Sequence, residues 1–75
     1  MDSIEYNPEK HTIMPGTGQN SELYLEDDGS LEMGEMLLLE IPVMMSLAFP
    51  NLLPQEMFEV YGRSEGKLIC RRLVI

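Results

Sequence analysis

Ser30-Leu31-Glu32-Met33-Gly34-Glu35-Met36-Leu37-Leu38-Leu39-Glu40-Ile41-Pro42 is the stretch on which the fold turns, because it reads two ways. As a helix, Ser30 caps it, Glu32 favours its first turn, and Leu31, Glu35, Leu38 and Leu39 lie along one stripe. As a strand, Leu37, Leu39 and Ile41 face one way, with Leu38 and Glu40 opposite. Gly34 weakens a helix, and Pro42 terminates either element. Met, Leu and Glu are helix formers and no β-branched residue appears before Ile41, so the composition predicts a helix over residues 31–40.

Upstream, Glu22-Leu23-Tyr24-Leu25-Glu26 alternates with period two, placing Leu23 and Leu25 on one face of a short strand. Asp27-Asp28-Gly29-Ser30 then supplies turn residues, Gly29 being the one that tolerates positive φ. Residues 1–20 contain Pro8, Pro15, Gly16 and Gly18 and show no sustained period. They are expected to form a flexible arm preceding a domain over residues 21–75. Downstream, Val43 to Phe49 is confined between Pro42 and Pro50, with room for two helical turns packed on neighbours. Met57-Phe58-Glu59-Val60-Tyr61 and Lys67-Leu68-Ile69-Cys70 are β-prone runs around Gly62-Arg63-Ser64-Glu65-Gly66, which reads as a hairpin with a five-residue loop. The expected fold is therefore α+β: a small single domain with a disordered N-terminal arm, one or two short helices and a C-terminal β-hairpin in a small antiparallel sheet.

The stretch ends in Leu73-Val74-Ile75, apolar where domains commonly become polar. Leu68, Cys70 and Val74 lie on one face of the last strand, and Ile69, Leu73 and Ile75 on the other, so both faces need cover. Either the hairpin is the centre of a small sheet, or a second copy or a partner pairs with its edge; a dimer is the expectation, with Leu68, Ile69, Leu73, Val74 and Ile75 at the oligomer interface.

The chain has 75 residues, with 13 Asp and Glu against 5 Lys and Arg, a net charge of −8 and a pI near 4.3. One Cys, one His and no Trp exclude a disulfide framework and a cysteine-rich zinc module. A chain this short buries only roughly 60% of its unfolded surface, which weighs against a free-standing enzyme with a deep pocket. The charge is uneven: residues 1–62 hold twelve carboxylates against Lys10 alone, whereas 63–75 hold Arg63, Lys67, Arg71 and Arg72 against Glu65. Those four cations are interleaved with Leu and Ile, so direct nucleic-acid binding is not expected. Residues 36–53 are apolar enough to test as a membrane span, but Glu40, Pro42, Pro50 and Asn51 interrupt them. They read as buried core or interface. No positively charged start followed by an apolar run is visible, and the single cysteine suits a reducing compartment, so a cytoplasmic location is expected.

Motifs for chemistry are few. Counting an EF-hand loop from Asp27 puts Gly29 and Leu31 where oxygen ligands are needed, so the acidic run reads as a turn. Gly16-Thr17-Gly18 lacks the Gly-Lys-Ser/Thr and the strand–loop–helix frame of a phosphate cradle. His11 and Cys70 are the one nucleophile–base combination, but His11 sits in the arm and Cys70 in an apolar strand, where an inert thiol is expected. One His and one Cys cannot close a tetrahedral metal site. No catalytic, cofactor or metal residues are assigned, and no enzymatic activity is expected. Met33, Met36, Met44, Met45 and Met57 read as filler for an irregular core, or alternatively as an adaptable binding surface.

Ile41-Pro42, a short apolar stretch, then Phe58-Glu59-Val60 through Gly66-Lys67-Leu68-Ile69, resembles the swapped-hairpin dimers of AbrB and MazE-type regulators over about 30 residues. That resemblance implies a dimeric transcriptional regulator built on the C-terminal hairpin, with Arg63, Lys67, Arg71 and Arg72 near phosphates; the portion before Pro42 lacks the basic residues such folds place on DNA. Separately, Asp28-Gly29-Ser30-Leu31 through Glu40-Ile41-Pro42 is similar to a stretch of the YceD family of ribosome-linked proteins, without that family's cysteines.

The residues themselves point to a small acidic protein-binding module, regulatory or inhibitory, that occludes a basic surface of a partner protein, such as a nucleic-acid-binding one. Glu22, Glu26, Asp27, Asp28, Glu32 and Glu35 would steer the encounter, and Phe58 and Tyr61 would anchor it.

Overall fold

A strand, not a helix, occupies the ambiguous stretch in the computed structural model, which describes residues 2–14, 21–50 and 52–73. The strands are β1 (Asp2–Glu5), β2 (Thr12–Met14), β3 (Glu22–Glu26), β4 (Met36–Glu40), β5 (Gln55–Ser64) and β6 (Lys67–Arg72), with a 3-10 helix at Val43–Ala48 between β4 and β5. They form one mixed sheet in the order β1-β4-β5-β6-β3-β2, in which only β1 and β4 run parallel.

The expected α+β fold is thus corrected to a curled six-stranded sheet, a half-barrel. The correction originates at residues 31–40. Gly34 adopts φ +88°, its amide donates to the Val60 carbonyl (2.8 Å), and the Val60 amide donates to the Glu35 carbonyl (2.9 Å). The chain is therefore tied to β5 before β4 begins, and Met36 to Glu40 then pair with Glu59 to Gln55. Leu37 and Leu39 become wholly buried. Helix propensities differ by only a few tenths of a kcal/mol per residue, whereas burying a leucine is worth roughly 2 kcal/mol, so pairing overrides propensity. Ser30 is no helix cap: its amide donates to the Asp28 carboxylate (2.9 Å).

The segment expected as an arm supplies both sheet edges: β1 lies beside β4, and β2 beside β3. Strands of three and four residues are too short to register as a period. Residues 15–20 of that arm lie outside the described residues. A flat six-stranded sheet would hold its edges roughly 24 Å apart. Yet β1 and β2 are joined by residues 6–11, and these fold into a turn in which Lys10 and His11 both donate to the Asn7 carbonyl (3.0 and 2.8 Å). The edges must therefore approach one another, which curls the sheet.

The concave face carries the core. It holds Ile13 of β2, Leu23 and Leu25 of β3, Leu37 and Leu39 of β4, Phe58 and Val60 of β5, and Leu68 and Cys70 of β6, with Tyr6, Leu31 and Ile41 closing its ends. None of the five methionines expected to fill the core is among these; Met33, Met36 and Met44 are exposed, and Met45 and Met57 are partly buried.

The expected hairpin is present as β5–β6, but its loop is two residues rather than five. Glu65 and Gly66 both have positive φ (53° and 77°), the geometry of a tight hairpin turn whose twist matches that of the strands. Gly62, Arg63 and Ser64 are ladder residues opposite Ile69, Leu68 and Lys67. A bulge between Val60 and Gly62 leaves Tyr61 on the convex face and turns Arg63 to the side of Leu68.

Candidate interaction surface

Register sorts the expected partner-binding residues into three places. Glu22 and Tyr61 lie on the convex face. The Tyr61 hydroxyl donates to one oxygen of the Glu22 carboxylate, and the Tyr24 hydroxyl donates to the other (3.3 Å). The carboxylate holds both phenols above their ordinary pKa, through the hydrogen bond at Tyr61 and through its charge at Tyr24. The Arg71 guanidinium stands over the Tyr61 ring at 5.6 Å. Tyr61 is 40% exposed and remains available to a partner, but Phe58 is wholly buried in the core and cannot anchor one.

Glu26 ends β3, and Asp27, Asp28, Glu32 and Glu35 follow in the connection from β3 to β4, next to the hairpin turn, where the Asp27 amide donates to the Gly66 carbonyl (2.9 Å). Arg63 pins this connection, pairing with the Asp27 carboxylate (3.1 Å) and donating to the Leu31 carbonyl (2.9 Å). Asp28 accepts from the Ser30 hydroxyl and amide, which lowers its pKa. The Glu35 carboxylate accepts from the Glu32 amide (3.1 Å). Glu26, Asp28 and Glu32 remain exposed.

The residues expected at an oligomer interface are divided by the same register. Leu68 is buried in the core, and β6 pairs with β5 on one edge and β3 on the other. Ile69 and Leu73 are half-buried, and the Leu73 amide donates to the Met57 carbonyl (2.9 Å). Val74 and Ile75 lie outside the described residues.

The basic segment is largely neutralised from within. Arg63 pairs with Asp27, Arg71 with Glu59 (3.0 Å), and Arg72 with Glu56 in an ion pair whose two side chains are 16% and 7% exposed. Lys10 and Lys67 are the basic side chains outside these pairs.

Cys70 is a buried free thiol whose pKa desolvation pushes up to about 11, which keeps it protonated and unreactive. The His11 Nδ1 accepts from the Asn7 amide (3.0 Å), and partial burial lowers its pKa, as does Lys10. No hydrogen bond joins the two, and no group of three metal-ligating side chains occurs among the described residues. An open cleft of about 200 Å³ lies between the β1–β2 link and the turn after β3, with Ile4, Leu25 and Leu31 as its apolar wall and Lys10, His11, Glu26, Asp28 and Ser30 as its polar one.

One surface feature escaped the sequence reading in part. Residues 36–53 read as core or interface, yet the 3-10 helix within them has no buried residue. Val43, Met44 and Leu47 are 84%, 94% and 91% exposed. The available signal was Pro42, Pro50 and Pro54, which deny this run the regular pairing that buries β4. No helix among the described residues is long and apolar enough to cross a membrane. No protein-family model, curated protein or solved structure matches this chain.

Proposed function

We propose that this protein is a small acidic protein-binding module that recognises and occludes a basic surface of a partner protein. The observation that carries this reading is the internal pairing of Arg63, Arg71 and Arg72. Folding draws Arg63, Arg71 and Arg72 onto the chain's own carboxylates, so the charge offered to a partner is negative, with Glu26 exposed at the end of β3 and Asp28 and Glu32 exposed on the connection that follows it. Such a surface steers a cationic partner and repels phosphates. The same pairing weighs against a regulator that places those arginines on DNA.

The test is a salt titration on the purified pair, once the partner has been recovered by affinity chromatography. Glu26→Gln, Asp28→Asn and Glu32→Gln together are expected to weaken binding at least tenfold and to flatten its dependence on salt. Asp27 is left intact because its pairing with Arg63 supports the fold. Unchanged affinity in the triple variant overturns the reading.

A further inference from the structure

Between Ile41 and Gln55 the sequence holds no Asp, Glu, Lys, Arg or His. Folding divides the apolar side chains of this run into two sets. Met45, Phe49 and Leu52 pack against the core, and the Phe49 ring meets Tyr6 edge-on at 5.4 Å. The Ile41 amide donates to the Pro54 carbonyl (2.8 Å), which closes the base of the loop. Val43, Met44, Leu47 and Leu53 point outward, the last 63% exposed. The result is an anchored knob with an apolar crown.

At its foot, β1 and β4 end side by side in Glu5 and Glu40, which are register partners. Like charges directly opposite one another destabilise a strand pair. Among the described residues neither belongs to the three ion pairs above, and the Gln55 amide donates to the Glu40 carboxylate (3.4 Å). An exposed apolar crown above two carboxylates that form no ion pair among the described residues is complementary to an apolar groove with a basic rim.

We infer that the knob formed by Val43, Met44, Leu47 and Leu53 seats in an apolar groove of a partner protein, with Lys or Arg on the groove's rim meeting Glu5 and Glu40. This rests on the reading of the protein as a module for basic partners, and adds a second contact at the other end of β4 from the acidic connection. The alternative occupants fit less well. Segments that lie in a bilayer surface use Lys, Arg, Trp or Tyr at the headgroups, and this run has none of them. A twofold contact between two copies of the knob would crowd four carboxylates together, which like-charge repulsion opposes.

A defined probe makes this testable: a labelled amphipathic peptide with a leucine face bordered by Lys, and a control with Glu for every Lys. Fluorescence anisotropy on the full chain is expected to show binding of the Lys peptide alone. Met44→Ser with Leu47→Ser is expected to weaken it at least tenfold, and Glu5→Gln with Glu40→Gln severalfold with a flatter salt dependence. The Met44/Leu47 variant should keep the wild-type melting curve, because both side chains are exposed, and the Glu5/Glu40 variant should melt no lower than wild type, because it removes a like-charge pair. Wild-type affinity in the Met44/Leu47 variant, with loss in the Glu26/Asp28/Glu32 variant, overturns the knob and leaves the acidic reading standing. Equal binding of both peptides, or of neither, overturns the knob's basic-rimmed groove. So does knob-dependent flotation with phosphatidylcholine vesicles, or a knob-dependent dimer in sedimentation. Wild-type affinity in the Glu26/Asp28/Glu32 variant on its purified partner overturns the acidic reading instead.

Discussion

Leu39 and Leu47 are eight residues apart in one apolar run, yet the first is wholly buried and the second 91% exposed. The difference lies in the backbone. Leu39 sits on a strand flanked on both sides by partners, where alternate residues are carried to the concave face. Leu47 sits in a 3-10 helix confined by prolines, which buries none of its own residues. Hydropathy by itself does not place a residue inside; it acts only through an element that can turn it there.

Substitution should separate these two regions sharply. Phe58→Ala on the concave face should cost about 3–5 kcal/mol, whereas Leu47→Ser on the knob should stay within about 0.5 kcal/mol. Urea denaturation of both variants measures the contrast, and a destabilised Leu47 variant would break it. Next in size is the ion pair at the knob end of the concave face. Arg72→Ala leaves the Glu56 carboxylate without its buried partner and is expected to cost about 3 kcal/mol at neutral pH, again by urea denaturation. A loss below about 1 kcal/mol would mean that water reaches Glu56 and that this end of the sheet is open.

The dryness of the concave face has its own titration. The Cys70 pKa is raised by desolvation from 9.0 to about 11, so the folded chain holds the thiol proton more tightly than the unfolded one. The stability linked to it is complete below pH 9 and is lost as pH rises toward 11, by roughly 2 kcal/mol. Tyr6, Tyr24 and Tyr61 shift in the same direction, so the thiol's share is the difference between wild type and Cys70→Ala. Identical alkaline slopes would show that the thiol is solvated. The smallest effect belongs to the hairpin turn. Gly66→Ala meets no atom within 4 Å, so its cost is backbone strain alone at φ +77°, about 1 kcal/mol. A thermal melt detects it as a shift of a few degrees.

Much that was legible in the sequence is local. Leu23 and Leu25 alternate as a strand requires, Gly29 marks a turn at φ +84°, and Phe58-Glu59-Val60 with Leu68-Ile69-Cys70 form the arms of a hairpin. The hairpin loop was misjudged in length because Glu65 takes a left-handed conformation that its side chain does not advertise. The helix expected over residues 31–40 failed for a related reason. Its competing strand pattern was visible, but nothing within those residues reveals that Val60 waits opposite Gly34 and Glu35. The acidic connection was legible as charge, whereas the burial of Phe58 and the exposure of the knob were not.

By itself, the sequence determined the charge, the turn at Gly29, the alternation of Leu23 with Leu25 and the apolar neighbourhood of Cys70. These follow from rules acting over a few residues. The tertiary structure alone decided that residues 36–40 are a strand, that residues 2–14 supply both edges, that three arginines are neutralised internally and that Met33, Met36 and Met44 are exposed. Each of these depends on which distant segment lies alongside, and the free energy that selects among pairings is shared between residues tens of positions apart.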